Sequence, residues 1–223
     1  MPNGWSTANI SINDSGAIAG TAGADTTNHG FLRATDGTVS IFDPPDAIGG
    51  NGTVPTAINS NSEITGYFVF QLQERGFLRT ADGTLTEFDA PGAVPPCTCG
   101  TWPNDINESG AIVGFTYQVA QEHSFLRTPN GTFTVFDPPD AGAKGSWAIA
   151  INTTGAIVGG YWDSKGIAHG YLRNVDGTFT TIDAPLVPMI EFGPTTIHRI
   201  NGNGAIVGVL IDSMGTAHGF VRQ

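Results

Sequence analysis

A chain of 223 residues with 31 Gly and 14 Pro scattered between apolar runs reads as a turn-rich, all-β protein rather than a disordered one. Nine basic against twenty acidic residues leave a net charge of -11, which repels phosphate backbones and argues against nucleic acid or an anionic membrane as a partner. No apolar run is long enough to span a bilayer as a helix, and Met1-Pro2-Asn3-Gly4-Trp5 lacks the charged and apolar regions of a signal peptide. Taken along the chain, the pair Ile-Asn recurs with its first residue at Ile12, Ile58, Ile106, Ile151 and Ile200, a spacing of 45 to 49 residues. That period suits a four-stranded propeller blade and is too long for a β-helix rung, so the expectation is one five-bladed β-propeller. The blades run over about residues 5–43, 44–89, 90–137, 138–183 and 184–223.

Each copy offers the same succession of strands. The first leads into Ile-Asn, as in Pro103 to Asn107, and a tight turn such as Asn13-Asp14-Ser15-Gly16 follows. The second is Ala-Ile-Val-Gly or a relative, beginning at Ala17, Glu63, Ala111, Ala156 and Ala205. The third carries Phe-Leu-Arg or a variant, with apolar residues at adjacent positions, so both faces of the sheet must be covered. Asp-Gly or Asn-Gly turns at Asp36, Asp82, Asn130 and Asp176 lead to a fourth strand ending in Asp43, Asp89, Asp137 or Asp183. Copy five stops at Gln223 without a fourth strand, which reads as a three-stranded last blade or as a piece of a longer array.

Residues repeated in every copy read as scaffold. The third-strand Arg and the fourth-strand Asp are expected to form one pair per blade, holding its strands or bridging blades. His29, His123, His169 and His218 precede the third strand, with Arg75 in copy two, and are expected to hold neighbouring loops. Cys97 and Cys99 are too close to staple distant elements; a local disulfide, a soft-metal corner and inert thiols all stay open.

Residues that break the repeat carry the functional reading. In an antiparallel meander the short turns gather at one end, and the blade crossings and second-to-third loops, expected to be longer, gather at the other. At that end stand Trp102 and Trp147, matched by Ala8, Val54 and Thr196 elsewhere, together with Tyr117, Tyr161 and Trp162. Flat rings beside carboxylates and amides suit a sugar, which stacks its C–H face and hydrogen-bonds through its hydroxyls. These five aromatics are the candidate ligand-binding residues. The candidate catalytic residues, for a single acid–base site at the axial mouth, are His198, His123, Glu122, Asp163 and Glu191.

Gly-Ala-Ile-Val-Gly from Gly155, Ala-His-Gly-Tyr from Ala168, Asp-Gly-Thr-Phe-Thr from Asp176 and Asp183-Ala184-Pro185 resemble the HAF-type extracellular repeats of bacteria. Copy four is the nearest to that pattern and copy two the loosest, with Glu63-Ile64-Thr65 and Arg75. The resemblance implies an exported bacterial β-propeller and carries no catalytic residues with it. The sequence therefore leads to a binding module for a glycan or other small molecule, expected to be monomeric and to need no cofactor or metal. A lyase or hydrolase is the alternative, and a structural or protein-docking propeller, using Val187 to Ile190, is the third reading.

Overall fold

The Ile-Asn anchor works through its amide. In each copy the Asn Oδ1 accepts the backbone N–H four residues on, closing the turn, as Asn107 does from Ala111 at 3.0 Å. Its Nδ2 then reaches into the next copy. Asn13 donates to the carbonyl of Asn59, Asn59 to Asn107, Asn107 to Asn152, and Asn152 to Asn201, at 2.9 to 3.3 Å. A side chain that is polar, short and bifunctional is needed at every step, which is why the anchor is Asn throughout.

The computed structural model describes residues 6–24, 27–47, 52–93, 100–118, 121–183, 195–212 and 214–223. Sheet one holds β1 (Ser6–Ile12), β2 (Ile18–Ala24), β3 (Thr27–Arg33) and β4 (Val39–Phe42), and sheet two holds β5 (Thr53–Ile58), β6 (Ile64–Phe70), β7 (Gln73–Arg79) and β8 (Leu85–Phe88). Sheet three is β9 (Gly100–Ile106), β10 (Ile112–Gln118), β11 (Gln121–Arg127) and β12 (Phe133–Phe136). Sheet four is β13 (Ser146–Ile151), β14 (Ile157–Trp162), β15 (Ala168–Arg173) and β16 (Phe179–Ile182), and sheet five has three strands, β17 (Thr195–Ile200), β18 (Ile206–Ile211) and β19 (Ala217–Arg222). Every sheet is an antiparallel meander in chain order, as the repeat reading requires.

The first strand of each sheet packs across the face of the sheet before it: β5 on sheet one, β9 on sheet two, β13 on sheet three, β17 on sheet four. The core is accordingly divided into four successive clusters, one per junction, such as Phe42, Ile58, Ile64 and Phe77 between sheets one and two. At the bulge in β9 the backbone swings inward, and a Cβ on Gly114 would collide with the Trp102 carbonyl, so the last Gly of Ala-Ile-Val-Gly is a close-approach residue. The two outer faces lack this cover. Ile12 is 64% exposed where its counterparts Ile58, Ile106 and Ile151 are at 7%, 5% and 6%. Val207 is 40% exposed where Thr65, Val113 and Val158 are at 0%.

Two expectations need correction. The third-strand Arg does not pair with the fourth-strand Asp. In sheet one, Gly30 lies opposite Phe42 and Arg33 opposite Val39, so Asp43 falls beside His29, about 13 Å along the strand from Arg33. His29, His123 and His169 pair through Nδ1 with Asp43, Asp137 and Asp183 at 2.6 to 2.7 Å, and Arg75 takes Asp89 at 3.1 Å. The Arg instead stacks on the fourth-strand Phe of the preceding sheet. Arg79 lies 5.1 Å from the Phe42 ring, Arg127 4.8 Å from Phe88, and Arg173 4.8 Å from Phe136. The second-to-third connections are also shorter than expected in the first three copies. Two residues separate β6 from β7, and Gln71 and Leu72 both take positive φ, at 49° and 69°, as a two-residue hairpin turn demands.

Candidate functional site

The short hairpins carry the strand ends outward and bring aromatic side chains together. Trp102 lies opposite Phe115 and Gly100 opposite Tyr117 in the register of β9 and β10, so all four positions share one face of sheet three. The Trp102 ring stacks on Phe115 with centroids 5.1 Å apart and meets Tyr117 edge-on at 6.4 Å. Gly100 is bare because that ring lies over it: a Cβ there would come within 2.7 Å of the indole. Sheet four repeats the device. Trp147 lies across Gly160, and its ring sits 5.6 Å from Trp162. The Lys144 ammonium stands 4.6 Å from the centre of the Trp162 ring.

Two cavities open among these rings. One, of about 470 Å³, is lined by Leu72, Glu74, Trp102, Phe115, Tyr117 and Glu122. The other, of about 290 Å³, is lined by Phe115, Glu122, Trp147 and Trp162. Phe115 and Glu122 belong to both, so the pair forms one cleft running from sheet two across sheet three to sheet four. It is an open groove of small-molecule size whose walls mix aromatic rings with the Glu74 and Glu122 carboxylates. Glu122 lies opposite Tyr117 at the start of β11, half-buried, and burial pushes its carboxyl above the usual range. Neither Glu122 nor Glu74 has a side-chain hydrogen bond or ion pair among the described residues.

Of the predicted ligand-binding residues, Trp102, Tyr117, Trp147 and Trp162 line this cleft. Tyr161 does not: it is buried, its hydroxyl 3.1 Å from the Thr181 hydroxyl, and its ring stacks on His169. Of the predicted catalytic residues that are described, only Glu122 reaches the cleft. His123 is turned to Asp137 at 2.6 Å. Asp163 caps the turn after β14 by accepting the N–H groups of Lys165 and Ile167, and the latter holds its carboxyl below the usual range. Glu191, the apolar stretch Val187 to Ile190, and both cysteines lie outside the described residues. Sequence reasoning missed Glu74, Leu72, Lys144 and Phe115. Phe115 had a signal, because the residue after the close-approach Gly is aromatic only in copies two and three, as Tyr67 and Phe115.

The first strands of all five sheets converge on a separate cavity of about 360 Å³, lined by Asn9, Ile10, Thr56, Asn104, Ile149 and Arg199. His198 is exposed beside it, and its backbone carbonyl accepts from Arg199 at 3.1 Å. Behind it, Asp105 accepts the N–H groups of Ile106 and Ile151 at 3.1 and 3.0 Å. Burial pushes the Asp105 carboxyl up to about 6, against the pull of those N–H groups and of Arg199. The axial cavity therefore offers one guanidinium and side-chain amides, with no His among its lining residues. Among the described residues no three His, Cys, Asp or Glu side chains are grouped to hold a metal ion.

No family model matches the chain, and no curated protein matches it in sequence. Its fold does have solved counterparts. A catalytically inactive variant of virginiamycin B lyase from Staphylococcus aureus, crystallised with quinupristin, superposes with a TM-score of 0.59 at 16% identity, over 99% of this chain and 71% of that one. A triple arginine mutant of AofleA from Arthrobotrys oligospora superposes with a TM-score of 0.54 at 11% identity, over 96% of this chain and 67% of that one. The architecture is that of a β-propeller, and at these identities the likeness concerns the fold alone.

Proposed function

We propose that this protein is a five-bladed β-propeller of HAF-repeat type, exported, monomeric, and built to bind a saccharide or similar small molecule. The observation that carries the reading is the cleft shared by sheets two, three and four. Trp102, Tyr117, Trp147 and Trp162 depart from the repeat and meet there around the Glu74 and Glu122 carboxylates, whereas the residues the copies share are spent on the Asn ladder and the His–Asp pairs. Half-buried indoles give a sugar ring a flat apolar support, and the Glu122 carboxylate gives its hydroxyls an acceptor. The enzymatic alternative finds less support, because His123 and Asp163 are held in structural pairs and turns away from both cavities.

Calorimetry against a panel of neutral and charged oligosaccharides tests the proposal. Saturable binding that falls about tenfold or more in Trp102→Ala and in Trp147→Ala is expected, since loss of one stacked ring costs on the order of 1.5 kcal/mol. Binding untouched by both substitutions, or no binding across the panel, would sink it.

A further inference from the structure

Two carboxylates line the cleft, and the cation at its edge, Lys144, is turned to the Trp162 ring and pairs with neither of them. Glu74 and Glu122 line the larger cavity together with the Trp102–Phe115 stack, and neither has a side-chain hydrogen bond or ion pair among the described residues. Glu122 also borders the smaller cavity, between Phe115 and the Trp147–Trp162 pair. A carboxylate half-removed from water and left without a partner is costly, and a ligand that brings a cation relieves that cost. The rings supply the second half of such a site, because an indole face attracts a cation placed within about 6 Å of its centre. The chain demonstrates this on itself: Lys144 holds its ammonium 4.6 Å above Trp162, at the edge of the same cleft, although Asp and Glu are abundant elsewhere on the surface.

We infer that the ligand of this cleft carries a protonated amine, seated between Glu122, Glu74 and the Trp102 and Trp147 rings, as in an oligosaccharide of unacetylated amino sugars. This deepens the saccharide reading proposed above and rests on it for the sugar, but not for the amine. A neutral sugar would satisfy the rings while leaving both carboxylates short of a countercharge. A plain organic cation would satisfy the carboxylates while leaving most of the cleft unfilled. An amino sugar presents its C–H face to the indoles and its ammonium to the carboxylates in one rigid ring.

Calorimetry on the 223-residue chain with three probes separates the components: glucosamine tetramer, its N-acetylated counterpart, and choline. The expected result is that the amine tetramer binds at least tenfold more tightly than the acetylated one, and that Glu122→Gln reduces this ratio to threefold or less. Glu122→Gln keeps the shape of the side chain and removes a charge that burial opposes, so its thermal midpoint should stay within a few degrees of the parent. Equal affinity for the two tetramers overturns the amine and leaves the saccharide. Choline binding as tightly as the amine tetramer upholds the cation and overturns the saccharide. An unchanged ratio in Glu122→Gln overturns the assignment of the amine to Glu122, and silence from all three probes overturns both readings.

Discussion

Replacing Asn107 with Ala removes one rung of the ladder that joins the sheets. The residue is 6% exposed, and its Nδ2 donates to the Asn152 carbonyl at 3.1 Å while its Oδ1 accepts from Ser109 N, Ser109 Oγ and Ala111 N at 2.7 to 3.1 Å. After truncation the Ala111 N–H is left buried without this partner, at about 1–3 kcal/mol, while the Asn152 carbonyl keeps the Gly155 N–H at 3.0 Å and loses only its second bond, at about 1 kcal/mol; the two Ser109 bonds add a smaller loss because Ser109 can turn to water. A destabilisation of about 2–4 kcal/mol follows, which lowers the thermal midpoint of a chain of this size by on the order of 10 °C. Asn201→Ala is the matched control. Asn201 is exposed, caps its own turn by accepting from Asn203 N and Ala205 N at 3.0 and 2.9 Å, and donates to no further sheet among the described residues. Its loss should cost about 1 kcal/mol. Urea unfolding followed by tryptophan fluorescence, with the slope checked for constancy, measures both. If the two substitutions cost the same within about 0.5 kcal/mol, the contribution of the ladder between sheets is refuted and only turn capping remains.

Other perturbations probe the packing and the axial cavity. Arg127 stacks 4.8 Å from Phe88 with its Nε and Nη1 buried and without hydrogen-bond partners among the described residues, so Arg127→Met should stay within about 1 kcal/mol of the parent in urea unfolding, whereas Phe88→Ala should lose about 3–5 kcal/mol. For Asp105 the folded carboxyl sits at about 6 against an ordinary value of 3.8, so its ionised form destabilises the fold. That cost is absent below about 3.8, grows between the two values and is complete above about 6, reaching at most about 3 kcal/mol. Asp105→Asn should therefore gain stability relative to the parent as pH rises from 4 to 7, and a pH-independent difference between the two would contradict the burial argument. Removal of one cleft ring, in Trp102→Ala or Trp147→Ala, should weaken saccharide binding about tenfold while leaving the far-ultraviolet circular dichroism unchanged.

The sheets were legible because the repeat exposes them. Five Ile-Asn anchors marked five first strands, and the missing fourth strand after Val221-Arg222 marked the three-stranded sheet. The partnerships within a copy were harder to read, since a repeated Arg and a repeated Asp look like a pair until register is known. Only the pairing of Gly30 with Phe42 places Asp43 beside His29 and sends the Arg to a Phe of another sheet. The cleft was half legible. Trp102, Trp147, Tyr117 and Trp162 stood out as departures from the repeat, but Tyr161 has the same chemistry and its alternate strand position turns it into the core. Glu74 comes from the neighbouring sheet two and Lys144 from the turn before β13, and both face the rings only through packing, which no spacing along the chain encodes.

Three of the four tryptophans line the cleft, so the central claim has a direct reporter. In a titration of isotope-labelled protein with glucosamine tetramer followed by NMR, the indole N–H signals of Trp102, Trp147 and Trp162 should move together with one midpoint. The side-chain signals of Asn104 and Arg199, at the axial cavity, should stay in place. Movement of Asn104 and Arg199 with the three indoles unmoved would contradict the account and transfer the binding site to the axis.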